Sequence, residues 1–306
     1  MKEKILNILR AEKGVVSGEN LSNRLGVSRV SVWKHIKKLQ ELGYTIEATP
    51  KGYVLGSTPD VLYAWEFGDR ASKIHYFDAV DSTMNIARDL ARNRCPHFTV
   101  VIAGRQEKGK GRLKRTWQSS EGGLYFTVVI RPDIPPALSS RVNFAASMVL
   151  AQTLRSRFDV HAAVKWPNDI LVDGKKLAGI LSEMDAETDR VNFINIGIGI
   201  NANNDPTPYE PTAVSLKQIL GKPVERRVLL KVFLDDFEYT IDDANLVNVV
   251  SQWKRYTQTL NRPVKIVTTR EVAQGLAVDV DDDGALILQL PDGSLKRIIY
   301  GDCFHE

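Results

Sequence analysis

The sequence predicts an α+β protein in three parts: an N-terminal winged helix-turn-helix, a central mixed α/β body and a small C-terminal β-barrel. Three observations carry this. Residues 1–60 hold ten Lys/Arg and six Asp/Glu while the rest of the chain holds 31 of each, so the net charge of +4 sits in the first fifth. That same fifth reads as helix, helix, turn, helix and two short strands. The tail, in turn, is punctuated by hairpin signals at Asp281-Asp282-Asp283-Gly284 and Pro291-Asp292-Gly293. The expected boundaries are 1–60, 61–260 and 261–306, the first marked by the turn-forming stretch Ser57–Asp60.

Ile5, Ile8 and Leu9 mark the inner face of a first helix. Ser17 is placed to cap a second, carrying Leu21 and Leu25, which Gly26 ends with a tight turn. Ser28 caps a third, with Val32, Ile36 and Leu39 facing inward. The strands Tyr44–Ala48 and Tyr53–Leu55 then form a wing around Thr49-Pro50-Lys51-Gly52. The body alternates β-branched runs (Thr99–Gly104, Tyr125–Ile130, Asn192–Ile200) with amphipathic helices (Asn143–Phe158, Val228–Thr240, Leu246–Tyr256).

With Val32, Ile36 and Leu39 inward, Arg29, Trp33 and Lys37 share the outer face of the third helix, flanked by Val30 and Lys34. This face suits a DNA major groove: Arg29 takes guanine, the lysines take phosphate, and Lys51 reaches the backbone from the wing tip. Ser17 and Ser28, at the helix starts, complete the candidate DNA contacts. A solvated helical adaptor stays open as the alternative. One copy reads one half-site, so specific binding implies a dimer on a two-fold operator.

The remaining composition is that of an ordinary globular chain, 43% apolar and 25% charged. Cys95 and Cys303 lack metal-ligand spacing and read as free thiols of a reducing compartment. The N-terminal segment reads as an amphipathic helix and not as a signal peptide, and no apolar run approaches the ~20 residues of a membrane span. The expectation is a cytoplasmic protein with no membrane partner. The five histidines show no ligand or base-like spacing.

Five short stretches of the body carry chemistry. Asp81-Ser82-Thr83 puts small hydroxyls at a strand-to-helix junction, where a plain helix N-cap is the competing reading. The run from Gln106 to Trp117 alternates glycine and base around Lys110, Gly111 and Arg112, a pattern that lets backbone amides and cations meet phosphate; a solvated basic turn is the alternative. Lys165-Trp166-Pro167-Asn168-Asp169 offers an amide and a carboxylate to Mg²⁺ or a ribose. Gly174-Lys175-Lys176-Leu177-Ala178-Gly179 returns a lysine beside a small-residue strand. Gly197 and Gly199, before Asn201, leave room on a sheet surface for a flat ligand.

In this order, and above all through KWPND and KLAGIL, these stretches resemble the biotin protein ligase family. With the N-terminal module in front, the likeness is to its bifunctional ligase–repressor form and spans essentially the whole chain, from Ser17-Gly18-Glu19 to Asn261-Arg262-Pro263-Val264. The resemblance implies the biotin/lipoate ligase fold with an SH3-like C-terminal barrel. It implies formation of biotinyl-5′-AMP from biotin and ATP with Mg²⁺, and transfer of biotin to a lysine of the biotin carboxyl carrier protein of acetyl-CoA carboxylase. It also implies biotin-responsive repression at an operator of biotin genes, with a homodimer forming on adenylate or DNA.

By position, Ser82, Thr83, Met84 and Gln106 would hold the biotin head over Gly197 and Gly199. Lys110, Gly111 and Arg112 would cover the carboxylate and phosphate, and Lys176 would bind both. Arg112, Trp117, Asn168, Asp169, Asn201 and Arg262 would face the nucleotide, with Asp169 as the candidate Mg²⁺ ligand. Lys176, Arg112 and Lys110 would carry catalysis by charge. The loop departs from the family's usual Gly-Arg-Gly-Arg-Arg-Gly at Lys110, Leu113 and Lys114, and Met84 replaces a polar residue. A biotin-sensing DNA-binding regulator with weak or no ligase activity is the alternative; a ligase whose N-terminal module is a vestige or a dimer-tuning element, and a lipoate ligase, are further ones.

Overall fold

The computed structural model describes residues 1–242 and 244–305; Asp243 and Glu306, the last residue of the expected barrel, lie outside the described residues. The chain forms two compact units, Met1–Ser72 and Lys73–Glu306.

The first unit contains α1 (Lys2–Glu12), α2 (Gly18–Leu25) and α3 (Arg29–Glu41), then the antiparallel wing β1 (Ile46–Thr49) and β2 (Gly52–Leu55). Local chemistry sets the helix ends. Ser17 Oγ accepts from the Asn20 amide at 3.0 Å, Ser28 Oγ from the Ser31 amide at 3.2 Å, and Gly26 closes α2 at φ 63°. The inward stripe predicted for α3 is buried: Val32, Ile36 and Leu39 pack with Ile5, Leu6, Leu9 and Leu21. Each such side chain contributes about 1.5–3 kcal/mol on burial. Gly52 is required where the wing crosses the chain, since a Cβ there would lie 2.2 Å from the Val16 carbonyl oxygen.

This unit runs past the boundary expected at residue 60, because the segment after the wing packs back onto the helices. Glu66, its side chain fully buried, accepts two hydrogen bonds from Arg10, at 3.0 and 2.9 Å, and one from the Tyr44 hydroxyl. Trp65 Nε1 donates to that same hydroxyl at 3.0 Å.

The second unit is built on a seven-stranded mixed sheet. Its strands are β3 (Ile74–Val80), β4 (Thr99–Gln106), β5 (Leu124–Ile130), β6 (Ala163–Lys165), β7 (Asp169–Val172), β8 (Lys175–Ala186) and β9 (Val191–Ile200), in the order β3-β4-β5-β9-β8-β7-β6. Only β3–β4 is parallel, bridged by α4 (Thr83–Arg92). The central strand β5 is buried at every position, as a strand covered on both faces must be. On one face Ala87 and Ala91 of α4 lie on Val101, Val129 and Phe193. On the other, α7 (Arg226–Asp242) places Phe233 edge-on to Phe126, with ring centroids 5.5 Å apart.

The long buried helix α5 (Ser139–Phe158) is followed in sequence by the sheet's outer hairpin, whose two-residue turn Asp173-Gly174 has both φ values positive, at 49° and 76°. A short α6 (Leu216–Leu220) follows β9. The helix expected over Leu246–Tyr256 is shorter: a 3-10 turn precedes α8 (Val249–Trp253), whose Trp253 is buried against Phe144 of α5. No helix among the described residues is long and apolar enough to cross a membrane.

The tail is β-rich as expected, a five-stranded antiparallel sheet of β10 (Arg262–Val267), β11 (Val272–Val280), β12 (Leu286–Gln289), β13 (Leu295–Ile298) and β14 (Asp302–His305) in the order β13-β12-β11-β10-β14. Both hairpin signals form turns, in which Asp281 and Asp292 accept from following backbone amides and Gly284 and Gly293 take φ 84° and 82°. Trp166 locks this module to the body, its Nε1 donating to the Gly284 carbonyl at 3.0 Å.

Candidate active site and candidate nucleic-acid interface

The second unit holds a cavity of about 490 Å³ over the sheet, lined by residues of all five predicted stretches. At one end α4 begins with Ser82 at its N-cap position, yet the hydroxyl caps nothing. Ser82 Oγ is buried with no hydrogen-bond partner among the described residues, next in sequence to Thr83, which does line the cavity. The plain N-cap reading of this stretch is thereby removed. Thr83 is tied into a buried relay: Thr127 donates to its Oγ1 at 2.8 Å, and the Thr83 amide and hydroxyl donate to Gln106 Oε1 at 2.8 and 3.1 Å. Gln106 Nε2 in turn donates to Ser119 at 2.9 Å. The relay holds the Gln106 amide in one orientation at the cavity wall.

The glycine floor exists, but protein side chains lie on it. A Cβ at Gly197 would fall 2.6 Å from Met84 Sδ, and one at Gly199 would fall 2.4 Å from the Trp117 ring. Gly179, on the neighbouring strand, faces the same indole at 2.9 Å. The glycines thus provide space that Met84 and Trp117 use. Trp117 Nε1 is buried there with no hydrogen-bond partner among the described residues, a donor held ready beside the floor.

Five cations line the cavity, Lys110, Arg112, Arg115, Lys165 and Lys176, against the three carboxylates Asp169, Glu210 and Asp302; the excess suits an anionic ligand. Lys176 Nζ lies 2.7 Å from Asp169 Oδ1 and 5.5 Å from the Trp117 ring centroid. Arg112 donates to Asn168 Oδ1 at 3.1 Å, and Asn168 Nδ2 anchors to the Ile180 carbonyl at 2.8 Å. Burial draws the Arg112 pKa below its usual value, against the opposing pull of Asp302 and Asp169. Lys110 pairs with Glu183 at 3.3 Å. The basic loop is therefore a structured turn pinned by side chains, at the cost of left-handed backbone at Leu113 (φ 51°) and Lys114 (φ 59°).

The C-terminal module reaches the cavity through residues that the sequence alone does not mark. Arg262, at the start of β10, does not line it; Asp302, Cys303 and Phe304 of β14 do. Asp302 bonds Arg115 and lies 3.9 Å from Arg112. Burial pushes the Cys303 thiol up to about 12, so it stays protonated. No sequence signal marks these three residues, because strand pairing alone carries them to the site. Lys165 is in the cavity too, the one charged member of its stretch left without a role by sequence reasoning.

In the first unit, Arg29, Val30, Trp33, Lys34 and Lys37 are exposed along α3, and Lys51 is exposed at the wing tip. Val30 and Trp33 are 63% and 50% accessible and share this surface with the basic residues. Ser17 and Ser28 are exposed, with their hydroxyls engaged in capping.

A cationic cavity with a glycine floor, in a chain that opens with an exposed basic helix behind a wing, defines the class: an enzyme acting on an anionic substrate with a flat portion, joined to a DNA-reading module. Comparisons with known proteins narrow the class. A helix-turn-helix domain model matches residues 2–54, the biotin/lipoate A/B protein ligase family model residues 76–201, and the biotin protein ligase C-terminal domain model residues 259–306. The bifunctional ligase/repressor BirA of Bacillus subtilis (strain 168) is 35% identical over 94% of this chain and 93% of its own length. That of Escherichia coli (strain K12) is 29% identical over 94% and 91%. Among solved structures, the biotin protein ligase from Aquifex aeolicus in complex with biotin and ATP superposes with a TM-score of 0.65 at 25% identity, covering 76% of this chain and 98% of that one. The chain belongs to the biotin protein ligase family, in its bifunctional ligase/repressor form.

Proposed function

We propose that this protein joins biotin to ATP as biotinyl-5′-AMP, transfers the biotin to a lysine of the biotin carboxyl carrier protein of acetyl-CoA carboxylase, and represses transcription at an operator of biotin genes when biotin is plentiful. It does so in the cytoplasm. The observation that carries the enzymatic half is the convergence of Lys176 and Arg112 on Asn168 and Asp169, beside the glycine floor.

In the first step a biotin carboxylate oxygen attacks the α-phosphorus of ATP and pyrophosphate departs. In the second, the carrier lysine's amine attacks the acyl carbon and AMP departs. Neither step needs a nucleophile from the protein, so catalysis rests on holding the reactants together and neutralising charge in a confined site. Lys176 lies against Asp169 and is positioned for both the carboxylate and the developing phosphoryl charge. Arg112 and Lys110 cover the same region from the loop. Thr83 and Gln106 receive the ureido group of biotin, backed by the free Ser82 hydroxyl, while Gly197 and Gly199 admit its rings as Met84 and Trp117 give way. Trp117, Asn168 and Asn201 face the nucleotide.

The Asp169 carboxylate, now held by Lys176, and the Asn168 amide oxygen, now accepting from Arg112, would hold Mg²⁺ once bound phosphate draws those cations away, since Mg²⁺ binds through one or two protein oxygens together with phosphates and water. Among the described residues no group of three or more His, Cys, Asp or Glu forms a cage of its own. Bound with the nucleotide, Mg²⁺ would supply further neutralisation of phosphate charge.

The exposed face of α3 supports operator binding, with Arg29 reading a base and Lys34, Lys37 and Lys51 taking phosphates. One such module covers a half-site, so the operator complex is a homodimer, favoured when the adenylate is bound.

Incubation of the purified protein with biotin, Mg-ATP and a carboxyl carrier domain, followed by mass spectrometry of the carrier lysine, tests the ligase. Biotinylation is the expected result. Tight biotin binding without transfer would leave a biotin-sensing regulator instead.

A further inference from the structure

Four cavity residues stand in one line across the sheet. The register pairs Gly199 of β9 with Gly179 of β8, Gly179 with Asp169 of β7, and Asp169 with Lys165 of β6. Opposed residues of antiparallel strands project to the same face, and neighbouring strands lie about 4.8 Å apart, so the line runs ~14 Å from Gly199 to Lys165. All four residues line the cavity, and Lys176 joins at the middle through its contact with Asp169.

Lys165 differs from the other cations around it. Lys110 is paired with Glu183, Arg112 and Arg115 with Asp302, and Lys176 with Asp169. Among the described residues Lys165 has no carboxylate partner; its Nζ lies 5.9 Å from the centroid of the Phe304 ring. A lysine already paired must give up that partner to take a new anion. Lys165 has no ion pair to lose.

We propose that Lys165 binds the pyrophosphate that leaves during adenylate formation, an inference that rests on the ligase reading above. In that step a bond forms between a biotin carboxylate oxygen and the α-phosphorus, and the α-phosphorus–oxygen bond toward the β-phosphorus breaks, its electron pair departing on pyrophosphate. The entering and leaving oxygens are roughly in line. Biotin's rings lie at the glycine end of the row and the reacting carboxylate and phosphorus lie at Asp169 and Lys176. The leaving group then faces the opposite end, where Lys165 stands. Its ammonium compensates the charge that accumulates as the bond breaks, and a lysine suits this task because it acts as a compact, rotatable point charge.

The test uses the full-length protein and its Lys165→Ala and Lys165→Arg variants. Three quantities are measured: single-turnover formation of biotinyl-5′-AMP, inhibition of that step by added pyrophosphate, and transfer from supplied biotinyl-5′-AMP to a carrier domain. For Lys165→Ala, adenylate formation should fall about 10²-fold, in the range for removing one charge-stabilising group. Inhibition by pyrophosphate should weaken about tenfold, the equivalent of ~1.4 kcal/mol of lost binding. Transfer from supplied adenylate should run at the wild-type rate, and Lys165→Arg should recover most of the first step. Unchanged adenylate formation, or an equal loss in both half-reactions, would overturn the assignment, the latter marking Lys165 as a purely structural partner of Phe304. Wild-type protein that forms no adenylate would overturn the ligase reading itself, a failure visible without any variant.

Discussion

Helix α3 presents Arg29, Trp33 and Lys37 at successive four-residue steps on one exposed face, whereas the cavity brings Thr83, Lys176 and Asp302 together from three distant parts of the chain. The helix face needs only a capped start at Ser28 and a buried stripe beneath it. The cavity needs a seven-stranded sheet in register, a loop pinned by ion pairs and a strand from the C-terminal module. The difference teaches where damage spreads. A side chain on the helix face should act only on what it touches, while a side chain in the cavity row, on the ligase reading, should govern rate.

Lys176→Ala gives the sharpest separation of the two regions. Adenylate formation should fall by roughly 10²–10³-fold, while operator binding measured at saturating supplied biotinyl-5′-AMP stays unchanged. A parallel loss of operator affinity in a filter-binding or fluorescence assay would mean the regions are not independent.

Glu66→Ala probes the first unit from beneath. Arg10 and Tyr44 would lose their shared buried partner, at a cost of about 3 kcal/mol, read as an earlier urea transition of the full chain. Arg29→Ala should weaken operator binding by about 1–3 kcal/mol and relax base preference at one position, with adenylate formation at the wild-type rate. Equal losses on operator and random DNA would assign Arg29 to phosphate.

Lys114→Gly tests the loop. It relieves left-handed backbone at φ 59°, so the folded protein should gain up to about 1 kcal/mol in denaturant stability. An unchanged midpoint would show that the loop's strain is compensated locally.

The smallest effect concerns pH. Burial, then the charges of Lys165 and Arg262, lower the His305 pKa from 6.5 to about 4. The imidazole is held neutral in the folded state, so its contribution is complete above pH 6.5 and is lost as the pH falls toward 4. His305→Asn should flatten the fall in melting temperature across that window. A slope identical to wild type would discount the histidine.

Much of the helix-turn-helix was legible because its determinants are local. Ser17, Ser28 and Gly26 act within a few residues of where they stand, and the stripe of α3 follows from helical periodicity. The five chemical stretches were legible for a related reason: each lies at a turn or strand end whose residues declare themselves. Sequence reasoning ended where partners are remote. Glu66 carries the first unit past residue 60 through contacts with Arg10 and Tyr44, neither of them near it in sequence. Trp117 lies over Gly179 and Gly199, and Asp302, Cys303 and Phe304 come to the cavity from the C-terminal module.

The order of the modules, the asymmetry of charge, the caps and turns, and the chemical types gathered for the site can all be read from the amino-acid sequence alone. The row formed by Gly199, Gly179, Asp169 and Lys165, and a lysine in it with no carboxylate partner among the described residues, arise only in the folded chain. The physical reason is register. Caps and turns are local bonds a few residues long, but pairing between strands depends on the packing of the whole sheet, and a slip of one residue would turn every side chain to the other face.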